Sequence, residues 1–203
     1  MRLNRWLPTL LLLTVSLPCR GQEVVSVGDL VLLPGDIIRV AIWREEDLSG
    51  DFRVGPDGHV ILPLLGQRLV TDSSWDGVRD RLLEAYREEL RNPSIELTPL
   101  RRIYVLGEVN QPGLYPVDPT VSLAGAVAMA GGASPEGDLR NLRVVRGGAL
   151  VLDGIHSETA LASLDVRSGD EIFVGRRNWF SRNSQFVISA MLSLSAIIVT
   201  FSR

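Results

Sequence analysis

The stretch LPGDIIRV, residues 33–40, returns near the other end of the chain as RSGDEIFV, residues 167–174, displaced by 134 positions. In both copies a Gly-Asp pair is followed by an isoleucine and a valine two positions apart, Ile38 and Val40 in the first, Ile172 and Val174 in the second. Glycine tolerates a positive φ, and aspartate can bond to its own downstream backbone. Each copy therefore predicts a tight turn leading into a strand.

Working outward from the first copy, IIRVAIW reads as a strand. DFRVGPDGHVILPLLG follows, with PDG between apolar runs, a hairpin signal in which Gly58 takes the awkward backbone angle. SSWDGVRDRLLEAYREELRNP is the clearest helix. Ser74 stands at the N-cap, and Trp75, Val78, Leu82, Tyr86 and Leu90 recur at helical spacing. Asn92-Pro93 ends it, and SIELTPL returns as a strand by Leu100.

A second unit opens there. RIYVLGEVNQPGLYPV reads as two strands around NQPG, where Pro112 and Gly113 suit a type II turn. TVSLAGAVAMAGGASPEG is a short helix capped by Ser122, apolar along Leu123, Ala126, Val127 and Ala130, and ended by Gly131-Gly132. LRNLRVVRGG and ALVLDG are further strands, and LDVRSGDEIFVG closes the unit. The order of elements predicts an α+β chain of two small units, with a boundary near residue 100.

Composition narrows the function. Of 203 residues 45% are hydrophobic, enough for a core, and the formal charge of −3 argues against a nucleic-acid partner, which favours a basic surface. All 21 basic residues are arginine, so Schiff-base or phosphate-loop lysine chemistry is excluded. His59 and His156 lie far apart, with no neighbouring ligand at metal-binding spacing. Glu45, Glu46 and Asp47 read as a solvated acidic connector, and Glu108 in LGEV as a charge on the exposed side of a strand. No nucleophile elbow or nucleotide loop is present, so no catalytic residue, metal or cofactor is expected.

The ends carry membrane signals. Residues 1–21 have the charged start, apolar run and small residues of a secretory signal, with Cys19 and Gly21 at positions −3 and −1 of the cleavage site. Cys19, the single cysteine, leaves two fates open: lipidation, against which Pro18 stands, or loss with the signal. In residues 178–203 an uncharged run from Phe186 to Phe201 reads as a membrane helix; its 16 residues would span roughly 24 Å at ~1.5 Å per residue. Trp179, Phe180 and Arg182 would sit at the membrane interface. On such a helix Gln185, Ser189, Ser193 and Thr200 fall on one polar stripe. Copies in a ring could turn that stripe toward a water-filled lumen; ordinary membrane-helix serines are the other reading.

Two ordered sets of motifs resemble a known family. LLPGDIIRV, then DG-x-V-x-LP-x-x-G between His59's flanks and Gly66, then RNPSIEL, are similar to the polysaccharide biosynthesis/export domain of Wza-type proteins. GEVNQPGLY, AGG and GDEIFV resemble the soluble-ligand-binding β-grasp (SLBB) domain that follows it in that family. The resemblance implies a polysaccharide-export domain over residues 22–100, one β-grasp domain over 101–177 and a C-terminal membrane helix over 178–203. It also implies a homo-oligomeric ring, commonly an octamer, that exports capsular or exopolysaccharide across the bacterial outer membrane. Most of the chain would lie in the periplasm, an inner-membrane polysaccharide copolymerase would be the partner, and the C-terminal helices would form a barrel. The alternative is a periplasmic sugar-binding module tethered to a membrane by that helix. The type form has more than one β-grasp domain, whereas one is read here.

Overall fold

A computed structural model of the chain describes residues 29–177. Nine strands and two helices follow in order: β1 Ile37–Ile42, β2 Gly50–Arg53, β3 His59–Leu62, β4 Gly66–Leu69, α1 Trp75–Glu89, β5 Ile95–Gly107, β6 Gly113–Val117, α2 Leu123–Met129, β7 Gly137–Arg146, β8 Ala149–Ile155 and β9 Glu171–Arg176. The chain is α+β. Seven strands make one mixed sheet in the order β2-β1-β5-β9-β7-β8, with β6 added on β5.

The strand predicted to end near Leu100 and the one predicted to open the second unit are a single strand. β5 runs for 13 residues without a break. Its first half pairs antiparallel with β1 (Ile37↔Leu100, Ile42↔Ile95). Its second half pairs antiparallel with β6 and parallel with β9 (Tyr104↔Glu171, Gly107↔Val174). Alternate residues of a strand present both backbone groups to the same edge. Ser94 accepts from Trp43 N at 3.0 Å, Arg102 accepts from Gly169 N at 2.8 Å, and Tyr104 N donates to the Asp170 carbonyl at 2.9 Å. All three are even-numbered, so β1 and β9 lie along the same edge of β5. They start nearly head to head and run apart.

Two cores flank the midpoint of β5. Ile38, Val40 and Ile42 of β1 and Leu97 of β5 pack with Trp75, Val78, Leu82 and Tyr86 of α1 and with Val60 and Leu62 of β3. These are the predicted helix positions; Leu90, just past the helix, packs at the rim. Ser74 holds the N-cap position, but its hydroxyl makes no capping bond; the Trp75 amide is taken by the Leu30 carbonyl at 2.6 Å. The second core joins Ile103 and Val105 of β5, Leu123, Ala126 and Val127 of α2, and Leu142, Val144, Ile172 and Val174 of the sheet. Ser122 caps α2 as expected, accepting from Gly125 N at 3.2 Å.

Two turn predictions need correction. The PDG segment does form a turn, closed by Gly58 N to Gly55 O at 3.1 Å. The strands on its two sides belong to different sheets, however: β2 pairs with β1, and β3 with β4. The Val54 amide and carbonyl are committed to Asp36 and Gly35, which continues the β1 pairing and turns the chain away from β3. NQPG, residues 110–113, holds no positive φ, and Gly113 is no exception; the positive angle in this connection falls three residues earlier, at Gly107 (φ 87). The turn chemistry sits where β5 ends against β9, and Gly113 already belongs to β6.

Candidate functional site at the meeting of two turns

Because β1 and β9 diverge from one point on β5, the two Gly-Asp turns that precede them are brought face to face. Their geometries match. Asp36 N donates to Leu33 O and Asp170 N to Arg167 O, each at 3.0 Å, and each glycine has a positive φ, 95 at Gly35 and 99 at Gly169. The carboxylates reach back, not downstream as the sequence suggested: Asp36 Oδ2 accepts from Leu33 N at 2.9 Å, and Asp170 Oδ2 from Arg167 N at 2.7 Å. Closing the turn twice, by backbone and by side chain, satisfies an amide that has no ladder partner.

The turns also bond to each other. Ser168 Oγ donates to Asp36 Oδ1 at 2.6 Å and accepts from Arg102 N at 2.9 Å. A β-carbon on Gly35 would lie 3.3 Å from Ser168 Cβ, so glycine serves both the turn angle and the close approach. Arg101 sits on the face of β5 that carries Leu97 toward one core and Ile103 toward the other, and is 6% exposed. Arg146 closes the far side, its guanidinium holding Asp170 through two bonds of 2.8 and 2.9 Å and the Asp165 carbonyl at 2.6 Å.

The electrostatics follow from burial. Asp36 and Asp170 are each 1% exposed. Burial raises the Asp36 pKa above the ordinary carboxylate value, against the opposing pull of the Ser168 and Leu33 bonds and the Arg101 charge. Burial lowers the Arg101 pKa, while Asp36, Asp165 and Asp170 resist. Bonding to Asp170 raises that of Arg146. The oxygens of Asp36 and Asp170 are all engaged, so neither is poised as a base or nucleophile. The cluster fixes one unit against the other.

A pH measurement checks the Asp36 assignment. A raised folded pKa means that the folded chain binds the proton more readily than the unfolded one. Its contribution is therefore present at low pH and lost as pH climbs from the ordinary value of 3.8 through the folded value. Asp36→Asn keeps one acceptor oxygen, places an N–H donor where the protonated acid would have its O–H, and does not titrate. The denaturant midpoint of the variant is expected to gain on wild type as pH rises from the ordinary carboxylate value through the higher folded one, then to run parallel. A constant difference across that range would show that Asp36 is not desolvated.

The sequence-predicted site residues Cys19, Trp179, Phe180, Arg182, Gln185, Ser189, Ser193 and Thr200 lie outside the described residues, as do the segments predicted to be a signal and a C-terminal helix. Among the described residues, no helix is long and apolar enough to cross a membrane and no group of three His, Cys, Asp or Glu side chains could hold a metal ion. Glu108 follows the end of β5, accepting from Ser134 Oγ at 3.2 Å with Arg176 at 3.9 Å. His59 lies 3.1 Å from Asp57 Oδ2 at the surface. Arg101, Arg146, Ser168 and the partnership of the two aspartates were missed by sequence reasoning. The repeated Gly-Asp was their one visible signal.

Two α+β units sharing a strand and joined by a buried polar cluster define a class: a two-unit scaffold whose halves are tied by backbone pairing and by side-chain bonds. Residues 25–98 match the family model of the polysaccharide biosynthesis/export protein, and residues 102–154 match that of the SLBB domain. The two matches meet within β5. The chain belongs to the polysaccharide biosynthesis/export family. It is 32% identical over 180 residues to the EPS I polysaccharide export outer membrane protein EpsA of Ralstonia solanacearum, covering 70% of this chain and 47% of that protein. Against the polysialic acid transport protein KpsD of Escherichia coli the identity is 29% over 168 residues, covering 77% and 30%. Against the exopolysaccharide production protein ExoF of Rhizobium meliloti it is 31% over 109 residues, covering 47% and 26%. The chain thus spans between a quarter and a half of the length of these relatives.

Proposed function

We propose that this chain is a subunit of a homo-oligomeric ring that exports capsular or exopolysaccharide across the outer membrane. The observation that carries the reading is the succession of an export-protein domain and an SLBB domain along 25–154, in a chain whose relatives are named for polysaccharide export, transport and production. In this reading residues 22–100 are the export domain. Residues 101–177 are a β-grasp domain, whose sheet of β6, the second half of β5, β9, β7 and β8 carries α2. Both stand in the periplasm and receive polymer from an inner-membrane copolymerase. Residues 178–203 supply one helix per subunit to a barrel, eight subunits being the number that the family resemblance suggests.

The physical need is plain. A sugar polymer would lose water from every hydroxyl on entering hydrocarbon, with nothing to replace it. A closed ring supplies a wet path and keeps helix backbone groups satisfied internally. Clamped units suit a ring, because closure demands the same angle between every pair of neighbours. The chain contributes passage and not hydrolysis, so the driving force comes from synthesis or from partners.

Replacing Ser189, Ser193 and Thr200 together by leucine tests the lumen assignment. The triple variant is expected to assemble at the wild-type mass in detergent yet to lose surface polysaccharide at least ~10-fold, since three hydroxyls per subunit vanish from the wall. Export at the wild-type level would place those residues against lipid and favour the tethered-module alternative.

A further inference from the structure

At the far end of β1 from the clamp, the side chain of Trp43 stands 73% exposed. Its presentation is specific. Glu45 N bonds to Ile42 O at 3.1 Å, closing a turn in which Arg44 takes φ 66, a left-handed angle that arginine adopts at a cost. The turn is pinned by Ser49, whose Oγ accepts from Ile42 N at 2.9 Å and donates to Glu45 O at 2.8 Å. The Trp43 amide is fixed on Ser94 O at 3.0 Å. A strained, triple-tethered turn thus holds a large aromatic ring in water.

The neighbours leave that ring uncovered. The register Ala41↔Glu96 places Ala41, Ser94 and Glu96 on the same exposed face as Trp43. Ala41 and Ser94 are small, and the result is a groove of about 500 Å³ lined by Trp43, Arg44, Glu46, Ser49, Ser94 and Glu96. That is the size of a small-ligand site. Its chemistry is an apolar plate ringed by hydroxyl and carboxylate groups. The plate suits the C–H face of a pyranose, and the carboxylates can accept from its hydroxyls. A self-association patch would instead have a core depleted of charge. The acids outnumber the arginine, so a polyanionic sugar is disfavoured.

We infer that Trp43 and the groove around it form a glycan-binding site for a neutral, hydroxyl-rich sugar chain. The inference rests on the export reading and names the polymer class that the scaffold meets. The site guides a polymer by stacking on single rings and releasing them, as a wall of weak contacts should.

The full chain, extracted in a zwitterionic detergent that carries no sugar, is titrated with maltoheptaose and with an oligomer of sialic acid. Binding is read from acrylamide quenching of tryptophan emission and from saturation transfer to sugar ring protons. Maltoheptaose is expected to shield Trp43, a signal missing in Trp43→Phe and distinct from that of buried Trp75 (2% exposed). Trp43→Ala is expected to weaken binding at least ~10-fold, about 1.4 kcal/mol, Trp43→Tyr less, and the sialic acid oligomer to bind more weakly than maltoheptaose. The inference is overturned by equal binding in Trp43→Ala, by tighter binding of the acidic oligomer, by no binding at all, or by a Trp43 already shielded because a second copy covers it. Any of these leaves the export reading standing if deletion of the chain still abolishes surface polysaccharide. Export persisting after deletion removes that reading, whatever the titration shows.

Discussion

Gly107→Val is expected to prevent the chain from reaching its native state. Two effects add at this position. Gly107 has φ 87, a region closed to β-branched residues. A β-carbon there would also run into the carbonyl oxygen of Val174 and lie 3.1 Å from its nitrogen and 3.2 Å from its carbon. Backbone cannot swing aside as a side chain can. Gly107 is paired with Val174 where β5 meets β9, and the Glu108 amide bonds to the same carbonyl at 3.0 Å. Separating these strands breaks the parallel ladder that closes the second core. A cost of at least ~4 kcal/mol follows, against the ~5–15 kcal/mol that holds a domain folded. Soluble yield, protease resistance and denaturant midpoint all report it. Gly148→Ala is the matched control: φ is 80 there, but nothing lies within 4 Å of the added carbon. It should cost about 1 kcal/mol, the backbone strain alone. A Gly107→Val chain with a midpoint like that of the control would refute the packing described for β5 and β9.

Asp170→Ala comes next in size. The alanine takes both short bonds to Asp170 from Arg146, which keeps only Asp165, through its carbonyl at 2.6 Å and its carboxylate at 3.4 Å; it also takes the acceptor from Arg167 N and removes a counter-charge from buried Arg101. Removing one member of a buried ion pair costs about 3–5 kcal/mol, mostly through the charge left behind. The Arg146 side chain is 32% exposed and can turn partly to water, which sets the expectation at the lower end, about 3 kcal/mol. Adding Arg146→Met to Asp170→Ala should recover part of the loss, because the stranded cation is gone. Unfolding of the full chain by denaturant measures both. If the double variant is no more stable than the single, the harm comes from the turn itself and not from the orphaned arginine.

The elements were largely legible in the sequence, for local reasons. Trp75, Val78, Leu82 and Tyr86 repeat at the helical period and are all buried on α1. Ser122 and Gly131-Gly132 bracket α2, because a capping hydroxyl and positive φ angles are properties of those residues and of no distant partner. The two Gly-Asp turns were visible for the same reason. Pairing was not legible to the same degree. PDG is a good turn in isolation, yet which strands it joins depends on Val54 being taken by the Asp36 turn. The break read at Leu100 arose because Leu100, Arg101 and Arg102 interrupt the apolar alternation. In the fold that interruption marks the midpoint of β5, where one core hands over to the other. Pro99 fits there because, as an odd-numbered residue, its missing N–H faces the β6 edge of β5, and β6 pairs only with residues 101–105 and stops short of it.

By itself, the sequence determined an α+β chain, its two helices, its repeated Gly-Asp turns and its resemblance to polysaccharide export proteins. All of these depend on residue type and short-range spacing. Only the tertiary structure decided that the two turns touch, that Ser168 bonds to Asp36 from 132 residues away, and that Arg101 is buried between two cores. Those facts depend on β1 and β9 leaving one edge of β5 in opposite directions, a choice made by long-range backbone pairing.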